Sequence, residues 1–120
     1  MNTLEKEFVP YQPSLDMKEL GFDEPCFGVY YTKDGHVRII TENEKGDAPT
    51  FSQCFKWFRE KYRIDSWVEE VNHGINNGNK RYIFQIPTST SHLDKITFFD
   101  TYEEAELACL RKLIEIVKKK

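Results

Sequence analysis

Residues 50–62 read TFSQCFKWFREKY, and this stretch decides the fold. Phe51, Phe55, Phe58 and Tyr62 recur at alternating intervals of four, three and four residues. At about 100° per residue they fall in one stripe of an α-helix. Thr50 stands where a hydroxyl would cap the first turn. Four aromatic rings on one side predict a helix that organises the core, packed against a mostly antiparallel sheet. Trp57 lies off that stripe. It is the candidate surface anchor of the sequence, set against the alternative that the N-terminal hairpin packs over it.

The segments downstream alternate at the period of strands. DSWVEEVNH (65–73) and KRYIFQIP (80–87) flank a Gly/Asn turn, and KITFF (95–99) predicts a third strand. Tyr82, Phe84 and Ile86 share a face, whereas Trp67, Val68 and Val71 do not. The last segment opens with Thr101 and Glu104 in capping-box spacing. Its apolar face runs from Ala105 through Cys109, Leu110, Leu113 and Ile114 to Val117. Glu103 and Glu104 at its start and Lys118, Lys119 and Lys120 at its end suit the helix dipole.

Upstream, residues 1–12 read as extended or frayed chain. PSLDMKELGF (13–22) predicts a short helix with Leu15 and Leu20 as its apolar positions, stopped by Gly21. In GFDEPCFGVYYTKDGH (21–36), Asp34-Gly35 marks a tight hairpin turn. Phe27, Val29 and Tyr31 alternate on one strand, Val37 and Ile39 on the next. TENEKGDAPT (41–50) is polar and predicts a linker. The expected order is αββαβββα: one α+β domain over residues 1–120, with an antiparallel sheet made of the hairpin and the three-stranded meander, and helices on one face.

With 120 residues, 39% hydrophobic and 14% aromatic, the chain can build a core without metals or disulfides. A net charge of −3 provides no global attraction to nucleic acid or an anionic membrane. No apolar run approaches a membrane span, and MNTLEKEFVPYQ lacks the apolar stretch of a signal peptide, so the expected compartment is the cytoplasm.

Cys26, Cys54 and Cys109 form no CxxC and no Cys/His pair at ligand spacing with His36, His73 or His92. They are expected to be structural thiols, with no metal and no small-molecule cofactor. Glu69 and Glu70, adjacent on a strand, point to opposite faces and cannot share a substrate. No phosphate loop, GxSxG or HExxH occurs. The expectation is a protein that is not an enzyme.

From Thr50 onward, αβββα resembles the topology of the double-stranded RNA-binding domain. Lys56, Arg59 and Arg63 share one side of the aromatic helix, and Lys80 and Arg81 add charge on a strand. The motif of that family is missing, however. Its last helix opens with a basic cluster aimed at phosphates, and here the same place reads Tyr102-Glu103-Glu104. Nucleic-acid binding through Lys56, Arg59, Arg63, Lys80 and Arg81 is therefore the alternative reading. The preferred one is a protein partner met by Trp57, Lys56, Arg59 and Arg63.

GFDEPCFGVYY (21–31), CFKWFREKY (54–62) and FDTYEEAELACLRKLIEIVKKK (99–120) together resemble small uncharacterised proteins encoded in prophages and mobile elements of Bacteroidetes. The resemblance implies an accessory protein of a phage or integrated element. Small accessory phage proteins often act by binding a host protein, so the resemblance implies a host or phage protein as partner, in the sharpest form through inhibition of host defence of the anti-CRISPR kind.

Overall fold

The computed structural model describes residues 5–32, 36–41, 45–71, 81–87 and 97–119. After a 3₁₀ turn at Glu5–Glu7 come helix α1 (Tyr11–Glu19), strands β1 (Gly28–Tyr30) and β2 (Val37–Ile39), and helix α2 (Phe51–Lys61). Strands β3 (Trp67–Val71) and β4 (Arg81–Gln85) and helix α3 (Tyr102–Lys118) complete the chain. The protein is α+β, and among the described residues its strands form two separate two-stranded antiparallel sheets, β1–β2 and β3–β4. The expected single sheet is thus not seen.

Among the described residues, the predicted third meander strand contributes one bridge. Tyr82 and Phe99 exchange backbone hydrogen bonds of 2.9 and 2.8 Å, and Asp100 and Thr101 then turn directly into α3. Lys95 and Ile96, the start of that predicted strand, lie outside the described residues, as do residues 33–35 and 72–80, where the sequence predicts turns.

Helix α3 is the central element and contacts β3, β4, α2 and α1. Cys109, Leu110 and Leu113 on it are fully buried. The Thr101 hydroxyl accepts from the Glu104 amide at 3.1 Å, satisfying one of the orphan N–H groups of the first turn. Thr50 caps α2 in the same way, through Gln53 N–H at 3.1 Å.

The buried side of α2 is rotated from the predicted stripe. Phe51, Cys54, Trp57 and Phe58 are buried, while Phe55 and Tyr62 are half-buried. Cys54 is at the centre of that face, and Trp57 is only about 60° from it. A small thiol there lets the aromatic helix approach α3, which, rather than a sheet, is its principal partner.

Helix α1 begins two residues before the predicted start and buries Pro13, Ser14 and Met17 rather than Leu15 and Leu20, which are half-buried. Gly21 adopts φ +102° and closes the helix as expected, with Phe22 N–H reaching the Met17 carbonyl at 3.0 Å. Phe22 then enters the main core.

Phe8 and Val9 of the start predicted to be extended or frayed, and residues 46–50 of the predicted linker, are built into the fold. Phe8 and Val9 are buried. Thr50 bridges Phe8, Ala48 bridges Gly28, and Gly46 bridges Cys26, so residues 46–50 run along the free edge of β1. Asp47 accepts from Tyr30 N–H at 3.1 Å and faces Lys18 at 4.0 Å. Polarity hid this segment, because its polar groups are used to complete a sheet edge. Gly46 is required there, since a Cβ would stand 2.2 Å from the Cys26 carbonyl oxygen. A small second core of Phe8, Val37 and Ala48, flanked by Tyr30, lies on the inner face of the hairpin.

Candidate functional site

Trp57 does not stand on the surface. It is 7% exposed and enclosed by rings at 5.5 Å (Phe22), 5.2 Å (Phe58) and 5.5 Å (Tyr62), with the Lys61 ammonium 5.0 Å above it. The residue that follows the Gly21 stop covers it, and that contact joins segments too distant in sequence to be read from periodicity. Trp57 therefore offers no open ring to a partner. Lys56, Arg59 and Arg63 are exposed on α2 and just beyond its end, Arg63 in a left-handed conformation at φ 57°. Arg81 is half-buried and paired with Asp100 at 3.1 Å, and Lys80 is outside the described residues.

Among the described residues, the two most exposed aromatic side chains, Phe27 and Tyr31, lie on the outer face of β1–β2. Val29 pairs with Arg38, and hydrogen bonds continue the ladder to Phe27–Ile40 and Tyr31–His36. Alternation then puts Phe27, Val29, Tyr31, His36, Arg38 and Ile40 on one side. The opposite side carries Gly28, Tyr30, Val37 and Ile39; Phe8 packs on the first three and the Tyr30 hydroxyl donates to the Val9 carbonyl, while Ile39 stays 46% exposed. Phe27 is 68% exposed and Tyr31 56%. The sequence displays this alternation but not which side is covered. Gly28, facing the Phe8 ring, is the residue that settles it.

A second feature is a groove where α2, β3 and the first turns of α3 meet. One part, about 290 Å³, is lined by Phe55, Arg59, Trp67, Val68, Tyr102 and Glu106 among others. It continues past Tyr102 and Glu106 into a second part of about 340 Å³ that reaches Lys6, Glu7 and Glu103. Trp67 and Tyr102 keep nearly half their surface open, and Lys6 lies 3.8 Å from Glu103. Burial, reinforced by Glu7 and Glu103, pushes the Glu106 carboxyl up to about 7. The sequence signal for this groove is a pair, Tyr102 and Glu106, one turn apart at the border of the apolar face of α3.

Cys26, Cys54 and Cys109 are buried free thiols. Burial raises all three, Cys109 to about 12, so none is a poised nucleophile in this conformation. Among the described residues no group of three His, Cys, Asp or Glu side chains converges to hold a metal ion; His73 and His92 lie outside them. Glu69 stands across from Ile83 and Glu70 across from Tyr82, on opposite faces as expected, and Glu69 accepts from the Gln85 amide at 3.1 Å. No described helix is long and apolar enough to cross a membrane.

The chain matches no protein-family model, no curated protein and no solved structure. The reading of its function rests on these surfaces.

Proposed function

We propose that this chain is a non-enzymatic binding module that acts on a protein partner through the outer face of β1–β2. The observation that carries this is the exposure of Phe27 and Tyr31 on a sheet face turned away from both cores. Aromatic rings flanked by an arginine are the composition of interface hot spots. A patch of Phe27, Val29, Tyr31 and Ile40 is the kind of contiguous apolar surface that marks a protein contact. The resemblance to prophage and mobile-element proteins supports a host protein as the partner and an accessory role such as inhibition of host defence.

The test compares wild type with Phe27→Ser/Tyr31→Ser in cross-linking and affinity capture from host cells. Both side chains are exposed, so the double variant should keep its thermal midpoint within a few degrees while losing its captured partner. Full retention of that partner would refute the assignment of this face.

A second reading has its own observation. Lys56 and Arg59 are exposed on α2 and Arg63 just beyond its end, and exposed basic residues close together are an electrostatic footprint for phosphates. Fluorescence polarisation with duplex and single-stranded RNA and DNA separates the two. Micromolar binding at physiological salt, lost in Lys56→Ala/Arg63→Ala with a reduced salt slope, would favour nucleic acid.

A further inference from the structure

The groove beside α3 combines three properties. Its walls present the rings of Tyr102 and Trp67, both nearly half exposed. Its floor holds the Glu106 carboxylate, which has no ion-pair partner among the described residues. Its continuation adds Glu7 and Glu103; of these two, among the described residues, Glu103 is ion-paired, with Lys6 at 3.8 Å between half-exposed side chains, and Glu7 is not. Aromatic faces beside three carboxylates that outnumber the two lining cations, Arg59 and Lys6, are complementary to a delocalised cation. A guanidinium stacks on rings and donates two parallel hydrogen bonds to a carboxylate, which an ammonium cannot do. The space is large enough for one long side chain and is open along its length, as suits a residue carried on a chain.

We infer that this groove is the receptor for an arginine side chain of a polypeptide partner, its guanidinium bound to Glu106 and stacked against Tyr102 and Trp67. For the source of the arginine this rests on the reading of the chain as a protein-binding module. The chemistry of the groove stands on its own residues. Arg59, exposed on the α2 wall, opposes a cation there and so serves as an internal control.

The ionisable groups facing Glu106 are Glu7 and Lys6 from the N-terminal turn, Arg59 from α2, and Glu103 and Tyr102 from α3. The β3 wall contributes Trp67 and Val68, which do not titrate. A bound guanidinium needs the ionised carboxylate. Binding should therefore strengthen as pH rises from 6 to 8, across the value near 7 held by Glu106.

The test is an NMR titration with N-acetyl-arginine methylamide and with a capped Gly-Gly-Arg-Gly-Gly peptide, read at the Trp67 indole N–H. That signal is assigned with Trp67→Phe. Saturable shifts in the millimolar range or tighter are expected, at least as tight for the peptide, stronger at pH 8 than at pH 6, and lost in Glu106→Gln. Arg59→Ala should tighten binding roughly twofold by removing a like charge. No shift with either probe, equal binding by the neutral citrulline analogue, persistence in Glu106→Gln, or weakening in Arg59→Ala would each overturn the inference. Tighter binding of N-acetyl-arginine methylamide than of the peptide would also overturn it, by making the ligand a small molecule. Loss of the captured partner in the hairpin double variant is a separate readout. Failure of the hairpin assignment therefore leaves the titration interpretable, and the reverse holds too.

Discussion

Trp57→Ala should destabilise this protein by about 4 kcal/mol. The ring is 7% exposed and packed edge-on against Phe22, Phe58 and Tyr62. A buried indole removes about 200 Å² from water, worth about 5 kcal/mol at roughly 25 cal/mol per Å². The alanine methyl retains about 1 kcal/mol of that. The unfilled space and the lost ring contacts add to the deficit, and collapse of Phe22 and Lys61 toward the hole reduces it, leaving the cost within the usual range for Trp-to-Ala changes. A small domain holds about 5–15 kcal/mol in total, so the variant should be near the edge of folding. Urea titration followed by far-ultraviolet circular dichroism measures the loss. Trp67→Ala, at 48% exposure, is the control and should cost under about 1 kcal/mol. A Trp57→Ala cost below about 1 kcal/mol, or blue-shifted emission surviving when only Trp67 remains, would refute the enclosed position of Trp57.

Other outcomes follow from the same packing. Cys54 and Cys109, fully buried and raised in pKa, should react with a disulfide reagent only as fast as the protein opens, with Cys26 first; rapid labelling of Cys54 in native buffer would contradict this. Gly46→Ala should cost about 2 kcal/mol or more, because its Cβ meets the Cys26 carbonyl oxygen, and the urea midpoint measures it. Arg63→Gly should raise stability by up to about 1 kcal/mol by relieving a left-handed residue, and an unchanged or lower midpoint would count against that conformation. Glu106 binds its proton more tightly when folded than when unfolded, so its contribution is complete at low pH and is lost as pH rises toward 7. Glu106→Gln should therefore gain about 1–2 kcal/mol over wild type at pH 8, after allowing for solvent screening, and little at pH 4.5.

Local signals carried much of the fold. Thr50 and Thr101 cap their helices, Gly21 stops α1, and β1, β2 and β4 fall where alternation places them, because each depends on neighbours within a few residues. The alignment of segments distant in sequence was not legible. Nothing near Trp57 announces Phe22, nothing in residues 46–50 announces the edge of β1, and the face of β1–β2 that Phe8 covers depends on a segment about 20 residues upstream. The candidate surfaces suffered for the same reason. Phe27 and Tyr31 alternate as core residues do, and only the arrangement of the second core leaves them outside. Tyr102 and Glu106 read as an ordinary helix start until Trp67 and Phe55 complete the groove.

The pairing of Phe8 with Thr50 has a kinetic consequence. It closes a loop of roughly 40 residues, an ordering cost of about 3 kcal/mol in the chain-closure approximation before any contact repays it. Helix α1 and the β1–β2 hairpin both lie inside that loop. The same threonine caps α2, so the clasp ties the first segment of the chain to the helix that carries Trp57. Fast local events can form α2 and α3, but the hairpin acquires its covered side only when the clasp shuts. A folding chain would thus pass through a stage in which both sides of β1–β2 are open, and early in its life the protein would be stickier than its native surface.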